Sequence, residues 1–398
     1  MRWLCTAFLF LLTLIPLLPV ALLWMQIVAG FRTRRLEAGL TASTAITRNA
    51  FIAVLMPAHN EASGITAAIR SARDQLQTGD RVLVVADNCT DETAVVARAA
   101  GAEVIERHDT QRRGKGYALD FGVRWLENAP PSVTIIIDAD CIAHPGSISR
   151  LAEACVASGR PTQALYLMRA PAASRLNVRI AEFAWLIKNK LRPLGSLALG
   201  WPCQLMGTGM AFPWAIIQSA PLATGHLVED MQLGLDLAKA GSPPMFCPQA
   251  LVTSNFPTDS DGVKSQRTRW EHGHMSVLMT VGPKMIWQAV RTLNLALFAM
   301  ALDLMVPPLA ALVLTLVALL LLNSVWWFAT DSAQPLVVSV LAAALVTFSV
   351  ALAWLREGRQ IVSLGEMLAL PWYVIAKIPV YIRLFTKRQV EWVRTKRD

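Results

Sequence analysis

The chain has 398 residues, a formal net charge of +9 and an apolar share of 54%, above the roughly 45–50% of ordinary soluble chains, so part of it is expected in lipid and there is room for two domains. Six cysteines (Cys5, Cys89, Cys141, Cys155, Cys203, Cys247) lie scattered without C-x-x-C spacing, which excludes a cysteine metal cage and a disulfide framework. No recognition module or basic-aromatic array accompanies the positive charge, which excludes a nucleic-acid partner and leaves membrane lipid as the counterpart of the basic runs.

Trp3 to Gly30 carries no charge, longer than the about 20 residues that span a bilayer. Its basic flank, Arg32, Arg34 and Arg35, follows the run rather than preceding it, as in an uncleaved anchor rather than a cleaved signal, and it sets the next domain in the cytoplasm. The expected organisation is an anchor over 1–31, a basic linker over 32–49, a cytoplasmic α/β domain over 50–290 and a membrane region over 291–398.

Within 50–290, strand-like and helix-like pieces alternate, the pattern of a mostly parallel sheet flanked by helices. Phe51 to Met56 is a predicted strand broken by Pro57-Ala58-His59-Asn60-Glu61, with Ser63 as cap of the next helix. Arg81 to Ala86 and Ala102 to Glu106 are the second and third strands, and a basic loop from Arg107 to Gly116 holds Lys115. A fourth strand, Ile135 to Ile137, delivers Asp138 and Asp140 at its end. Further on come a strand near Gln163 to Met168, a basic amphipathic segment Arg179 to Arg192, Gly207-Thr208-Gly209, Glu229-Asp230 before a helix, and Gln266-Arg267-Thr268-Arg269-Trp270. The amphipathic segment fits either a membrane surface or packing against the sheet. Beyond 290 we expect an interfacial helix, spans over about 308–328 and 335–355, and an interfacial or re-entrant piece over 361–385.

Acidic strand ends and a basic loop on one edge of a parallel sheet suit a metal-bound, phosphate-bearing nucleotide. Neither G-x-x-x-x-G-K-[ST] nor G-x-G-x-x-G is present, so a phosphate-cradling loop and a dinucleotide fold are both excluded. Taken alone, each element has a plain alternative: Asp138-x-Asp140 fits a capped turn as well as a cation clamp, and Asp230 fits a helix cap as well as a base.

Five motifs in order, Pro57 to Glu61, Asp87 to Asp91, Asp138 to Asp140, Glu229-Asp230 and Gln266 to Trp270, resemble those of the family 2 inverting glycosyltransferases, and the membrane flanks resemble the family's polysaccharide-synthase branch. The resemblance implies a GT-A fold and a nucleoside-diphosphate sugar donor, most often a UDP-sugar. It also implies that Pro57, His59 and Glu61 lie against the nucleoside, that Asp87 binds the base, and that Lys115 and Asp138 serve the donor. Asp140 would hold Mg²⁺ or Mn²⁺. Asp230 would be the catalytic base with Glu229 in support, Arg267 and Arg269 would meet the diphosphate, and Trp270 with Gly207 and Thr208 would face the acceptor. Gln266, His272 and His274 complete the candidates.

Two departures stand out: His59 occupies a position more often aromatic in the family, and the C-terminal membrane part is short for a synthase that builds its own export channel. The expected activity is transfer of a sugar to a lipid-linked or saccharide acceptor at the cytoplasmic membrane face. Two alternatives accompany it, a processive synthase with a polysaccharide export or assembly partner, and a non-catalytic nucleotide-sugar sensor.

Overall fold

The computed structural model describes residues 2–31, 50–172, 174–225, 228–257 and 260–386. The linker over 32–49 and the basic tail from residue 387 lie outside these, as do the side chains of 260–267 and 269. Helix α1 (Arg2–Gly30) is followed by an α/β domain built on eight strands: β1 (Ile52–Ala58), β2 (Arg81–Asp87), β3 (Glu103–Arg107), β4 (Val133–Ile136), β5 (Ile142–Ala143), β6 (Thr162–Arg169), β7 (Met210–Pro213) and β8 (Met245–Asn255).

Their order across the sheet is β3-β2-β1-β4-β7-β6-β8-β5. The four strands β1 to β4 pair in parallel, as do β6 and β8, whereas β7 runs antiparallel to both neighbours and β5 antiparallel to β8. The sheet is therefore mixed, with its parallel half where the alternation of strand and helix predicts it. β1 is apolar on both faces because both are covered. Ile52, Val54 and Met56 pack under α2 (Ile65–Arg73), α3 (Thr93–Ala99) and, further along the same face, α5 (Ser147–Ser158). Ala53 and Leu55 pack under α4 (Lys115–Leu126) and α8 (Glu229–Lys239) on the other face.

Ala58 pairs with Ala86, so β1 and β2 finish within one residue of each other, while β4 ends at Ile136 opposite Leu55, three residues short of the end of β1. The open edge beyond them is where loops must carry the polar side chains. Ser63 does not cap α2, whose N-cap is Gly64 without a side-chain bond; the Glu61 carbonyl accepts from Gly64 and Ile65 instead. β3 also runs one residue further than expected, because its parallel register with β2 continues to Asp87 opposite Arg107.

Among the described residues, three helices are long and apolar enough to cross a membrane: α1, α12 (Leu309–Thr330) and α13 (Gln334–Arg356). α12 and α13 match the two spans expected from run length. The amphipathic segment forms α6 (Leu176–Leu186), a π-turn over Ile187–Leu191 and α7 (Arg192–Ala198). It lies between the two layers: Ile180, Phe183, Ile187 and Leu191 join Leu23 and Ile27 of α1 in one apolar cluster, while Trp185 meets Tyr166 of β6 edge-on at 5.5 Å. The domain closes with α9 (Ser260–Thr280), α10 (Gly282–Thr292) and α11 (Leu295–Leu304), which pack on α8, and α14 (Ile378–Thr386) ends the described chain.

Candidate active site

Two hollows meet at the open edge of the parallel strands. One, about 540 Å³, is lined by Pro57 to Glu61, Asp87 to Thr90, and Lys115, Asp138 and Asp140. The other, about 200 Å³, shares Lys115, Asp138 and Asp140 and continues past Gly207, Glu229, Asp230, Trp270 and His274. Of the seventeen residues singled out from the sequence, three line both hollows: Lys115, Asp138 and Asp140.

The first hollow is shaped by strand-end turns. Asn60 and Asn88 take positive φ, 55° and 52°, a left-handed conformation that asparagine tolerates better than most residues. The His59 ring donates from Nδ1 to the Asp87 carbonyl oxygen at 2.7 Å, so this residue braces β1 against β2 where the family more often has an aromatic ring. Asp87 is buried and its Oδ1 accepts from Arg107 Nη1 at 2.6 Å. Arg107 had been assigned to the basic loop; the parallel register puts it directly beside Asp87, and it also lies over the Tyr117 ring at 5.7 Å.

Asp138 and Asp140 share the wall between the hollows, but extended backbone is not what brings them there. β4 ends at Ile136, and the amide of Cys141 donates back to the Asp138 carbonyl at 3.0 Å, closing a turn. Oxygens of Asp138 and Asp140 and Cys141 Sγ lie within 4.8 Å of one another. The Cys141 thiol, pushed up to about 12 by burial, stays protonated and donates to Asp140 Oδ1 at 3.5 Å. Hard divalent ions take oxygen ligands, so this donor set fits Mg²⁺ or Mn²⁺ through the two carboxylates, with the thiol as a neighbour only.

Lys115, first residue of α4, pairs with Asp138 and donates to the Gly207 carbonyl at 2.7 Å. Burial acts against its ammonium, but the charges of Asp138 and Glu229 outweigh that and hold its pKa above the ordinary value. Gly207 has φ of 87° and Gly209 of 66°. At Gly209 a Cβ would meet Ala164 Cβ at 2.8 Å, so the turn needs glycine there both for its backbone and for its closeness to β6. Thr208 Oγ1 accepts from the Asp138 amide at 3.0 Å, and the buried Gln163 donates to the Thr208 carbonyl at 2.9 Å while accepting from Met206. Gln163 went unnoticed in the sequence because its role is only to pin this turn.

Glu229 and Asp230 occupy the first turn of α8 after the N-cap Val228, which makes no side-chain cap. Neither carboxylate is the cap, and both line the second hollow. Burial and then the Asp230 charge push Glu229 up to about 7; burial also raises Asp230, against the pull of Lys115. Two neighbouring carboxyls of this kind titrate as a unit. Trp270, from α9, stacks at 5.0 Å on Trp185. His274 donates from Nε2 to the Leu304 carbonyl at 3.2 Å, and burial drives its pKa down to about 3, so it faces the hollow neutral. His272 is turned away: its Nε2 donates to the Val380 carbonyl of α14 at 2.9 Å. The helix α9 passes through Gln266, Arg267 and Arg269, whose side chains lie outside the described residues.

Fold and site together are of the GT-A class, a mixed sheet whose parallel strand ends carry an Asp-x-Asp turn between two hollows. The family described as glycosyltransferase like family 2 matches residues 49–273, more than half of the chain, and the chain belongs to it. Uncharacterised glycosyltransferases of Mycobacterium bovis and Mycobacterium tuberculosis are 35% identical over 100 residues, 25% of this chain and 41% of each relative. The chain thus spans about two fifths of the length of the curated relatives it matches. Among solved structures, the mannosyltransferase PcManGT from Pyrobaculum calidifontis, in complex with GDP-Man and Mn2+, superposes over 94% of this chain and 100% of its own with a TM-score of 0.52 at 16% identity, a likeness of fold.

Proposed function

We propose that the chain is a membrane-anchored inverting glycosyltransferase that moves a sugar from a nucleotide donor, a UDP-sugar, to a lipid-linked or saccharide acceptor at the cytoplasmic face. The observation that carries this reading is the junction at Lys115, Asp138 and Asp140, where one hollow ends in the strand-end motifs and the other opens onto Asp230. In this reading the nucleoside lies against Pro57, His59 and Glu61. Asp87 accepts from the base, and the buried Arg107 fixes its orientation. The diphosphate lies at the junction beside Lys115 and Asp138, within reach of α9, which carries Arg267 and Arg269.

Asp140, with Asp138, would hold Mg²⁺ or Mn²⁺, which offsets the charge of the departing diphosphate. Inversion in one displacement requires a base on the side opposite the leaving group. Asp230 supplies it, taking the proton of the acceptor hydroxyl, and Glu229 beside it keeps the pair's proton affinity high. Gly207 and Thr208 form the floor under the transferred sugar, and the face of Trp270 supports the acceptor. The three long apolar helices and the basic run after α1 support an integral membrane protein with this domain in the cytoplasm.

The test is donor-dependent release of UDP or GDP from a panel of nucleotide sugars, with and without Mn²⁺, by the purified chain in proteoliposomes. Release with one donor, abolished in Asp230→Asn while donor binding persists, supports transfer and removes the sensor alternative. Silence with every donor overturns the reading. Product length separates single addition from a processive synthase, since a ladder of products requires the latter.

A further inference from the structure

The second hollow does not end at the acceptor face of Trp270. It runs on past Trp185, Lys188, Arg192, Ser196 and Asp303, and its far wall is the place where the domain meets the membrane helices. Gln26 of α1 donates to Asp303 Oδ1 at 2.6 Å and to Ser196 at 3.1 Å, and accepts from Arg192 Nε at 3.0 Å. α1 is about 43 Å long at 1.5 Å per residue, against a hydrocarbon core of about 30 Å, so Gln26, one turn from the end of α1, stands at the depth of lipid headgroups.

Three cations project from this stretch, and two of them have acidic partners. Lys190 pairs with Glu357 at 3.0 Å and Arg192 with Asp303 at 2.7 Å. Lys188 makes no salt bridge among the described residues; its contact is the ring of Trp185 at 5.4 Å. The π-turn over Ile187–Leu191 buries Ile187 and Leu191 against α1 and leaves Lys188 exposed to the hollow. Such turns recur at functional sites because the inserted residue re-aims its neighbours. The protein around Lys188 desolvates its ammonium enough to lower its pKa, yet the nearby carboxylates are already engaged or belong to the catalytic pair. A cation facing a partly open hollow beside aromatic rings, without a salt-bridge partner among the described residues, suits an anion that arrives with a ligand.

We propose that Lys188 is an acceptor subsite for a phosphate group: the acceptor carries a hydroxyl that reaches Asp230 and, further along the hollow, a phosphate that rests on Lys188. This rests on the transferase reading above. The phosphate takes no part in the bond changes. The hydroxyl oxygen bonds to the anomeric carbon, the bond from that carbon to the diphosphate oxygen breaks, its electron pair leaves with the nucleoside diphosphate, and the hydroxyl proton passes to Asp230. The same chemistry is offered by an anionic phospholipid with a hydroxylated headgroup and by a soluble polyol phosphate; the headgroup depth of the far wall favours the lipid.

The full chain is assayed in phosphatidylcholine vesicles with the donor found by the panel and three acceptors: phosphatidylglycerol, an uncharged glucosyl diacylglycerol, and glycerol 3-phosphate in solution. The expected result is a higher kcat/KM for a phosphate-bearing acceptor than for the uncharged glycolipid. Lys188→Gln then lowers that preference about tenfold or more, the scale of one charge-assisted hydrogen bond, and Lys188→Arg restores most of it. Preference for phosphatidylglycerol identifies the lipid as the source of the phosphate, and preference for glycerol 3-phosphate identifies the soluble one. An equal fall for charged and uncharged acceptors in Lys188→Gln overturns the proposal, as does a shifted pH profile with an unchanged preference, which would mean that Lys188 acts through Asp230. Absence of donor turnover under all conditions, hydrolysis included, would sink the transferase reading instead.

Discussion

Lys115 Nζ lies 2.7 Å from the carbonyl oxygen of Gly207, a bond between the first turn of the helix after the basic loop and the turn that floors the second hollow. The same ammonium pairs with Asp138, so one side chain joins the carboxylate turn shared by both hollows to the Gly207 turn. Lys115→Met removes both contacts and the positive charge nearest the expected diphosphate. It should lower kcat/KM roughly 10²-fold, the usual effect of deleting one preorganised group that meets developing charge. Steady-state nucleotide release, with far-UV circular dichroism as the check on folding, measures it.

Asp230→Asn keeps shape and removes the proposed base, so turnover should fall about 10²- to 10⁴-fold. Titration of donor by calorimetry should find its affinity within a few-fold of that of the parent protein, because the donor hollow does not include Asp230.

The acid limb of activity should sit well above the ordinary carboxylate range. The base works only when ionised, burial raises both carboxyls, and Glu229 reaches about 7. Activity is therefore expected to rise with pH over a range above that of an ordinary carboxylate. Glu229→Gln removes the neighbouring negative charge, which favours ionised Asp230, so the limb should move to lower pH. A pH–rate profile of both proteins reads the direction; an upward or absent move would contradict it.

Chelation offers a separate check on the carboxylate turn. Treatment with EDTA should abolish nucleotide release, and Mn²⁺ or Mg²⁺ should restore it in the parent protein, whereas Asp140→Ala should remain inactive at any concentration of either ion.

At the membrane junction, Asp303→Asn leaves the buried Arg192 without its counter-charge. Breaking one side of a buried ion pair costs about 3–5 kcal/mol, so the variant should unfold at a clearly lower temperature in detergent. Gly195→Ala attacks the same junction sterically, because a Cβ there would run into the main chain of Gln26, and it should cost roughly 1–3 kcal/mol. Thermal melts followed by tryptophan fluorescence measure both.

The strand-end hollow was legible in the residues themselves. Apolar β-branched runs end in Pro57 to Glu61, Asp87 and Asp138, and a parallel sheet has no choice but to bring such ends to one edge. What escaped reading depends on register or on distant partners. Arg107 looks like a loop cation until β2 and β3 are aligned. Asp138 and Asp140 fit a capped turn and a cation clamp equally well in the sequence, and only the turn that Cys141 closes onto Asp138 shows how they meet. His272 and His274 are two residues apart on one helix, yet one faces α14 and the other the hollow, because α9 places successive odd positions about 200° apart. Lys188 is one of several basic residues in its segment, and only the π-turn and the salt bridges of Lys190 and Arg192 distinguish it. The long apolar helices were legible from run length alone; the contacts that dock them on the domain were not.

The bond from Gln26 to Asp303 joins residues 277 positions apart, and that separation has a consequence for how the protein is made. In the membrane-anchored reading proposed above, α1 emerges and enters the bilayer first, with a buried glutamine that has no acidic partner yet. At about 5–20 residues per second, roughly 15–55 s of synthesis pass before Asp303 follows. During that interval the nascent chain holds its first helix in the membrane with its polar contact open, and the α/β domain must take shape beside it. Nascent chains arrested before residue 303 should therefore be far more sensitive to protease at the domain boundary than chains arrested after residue 356.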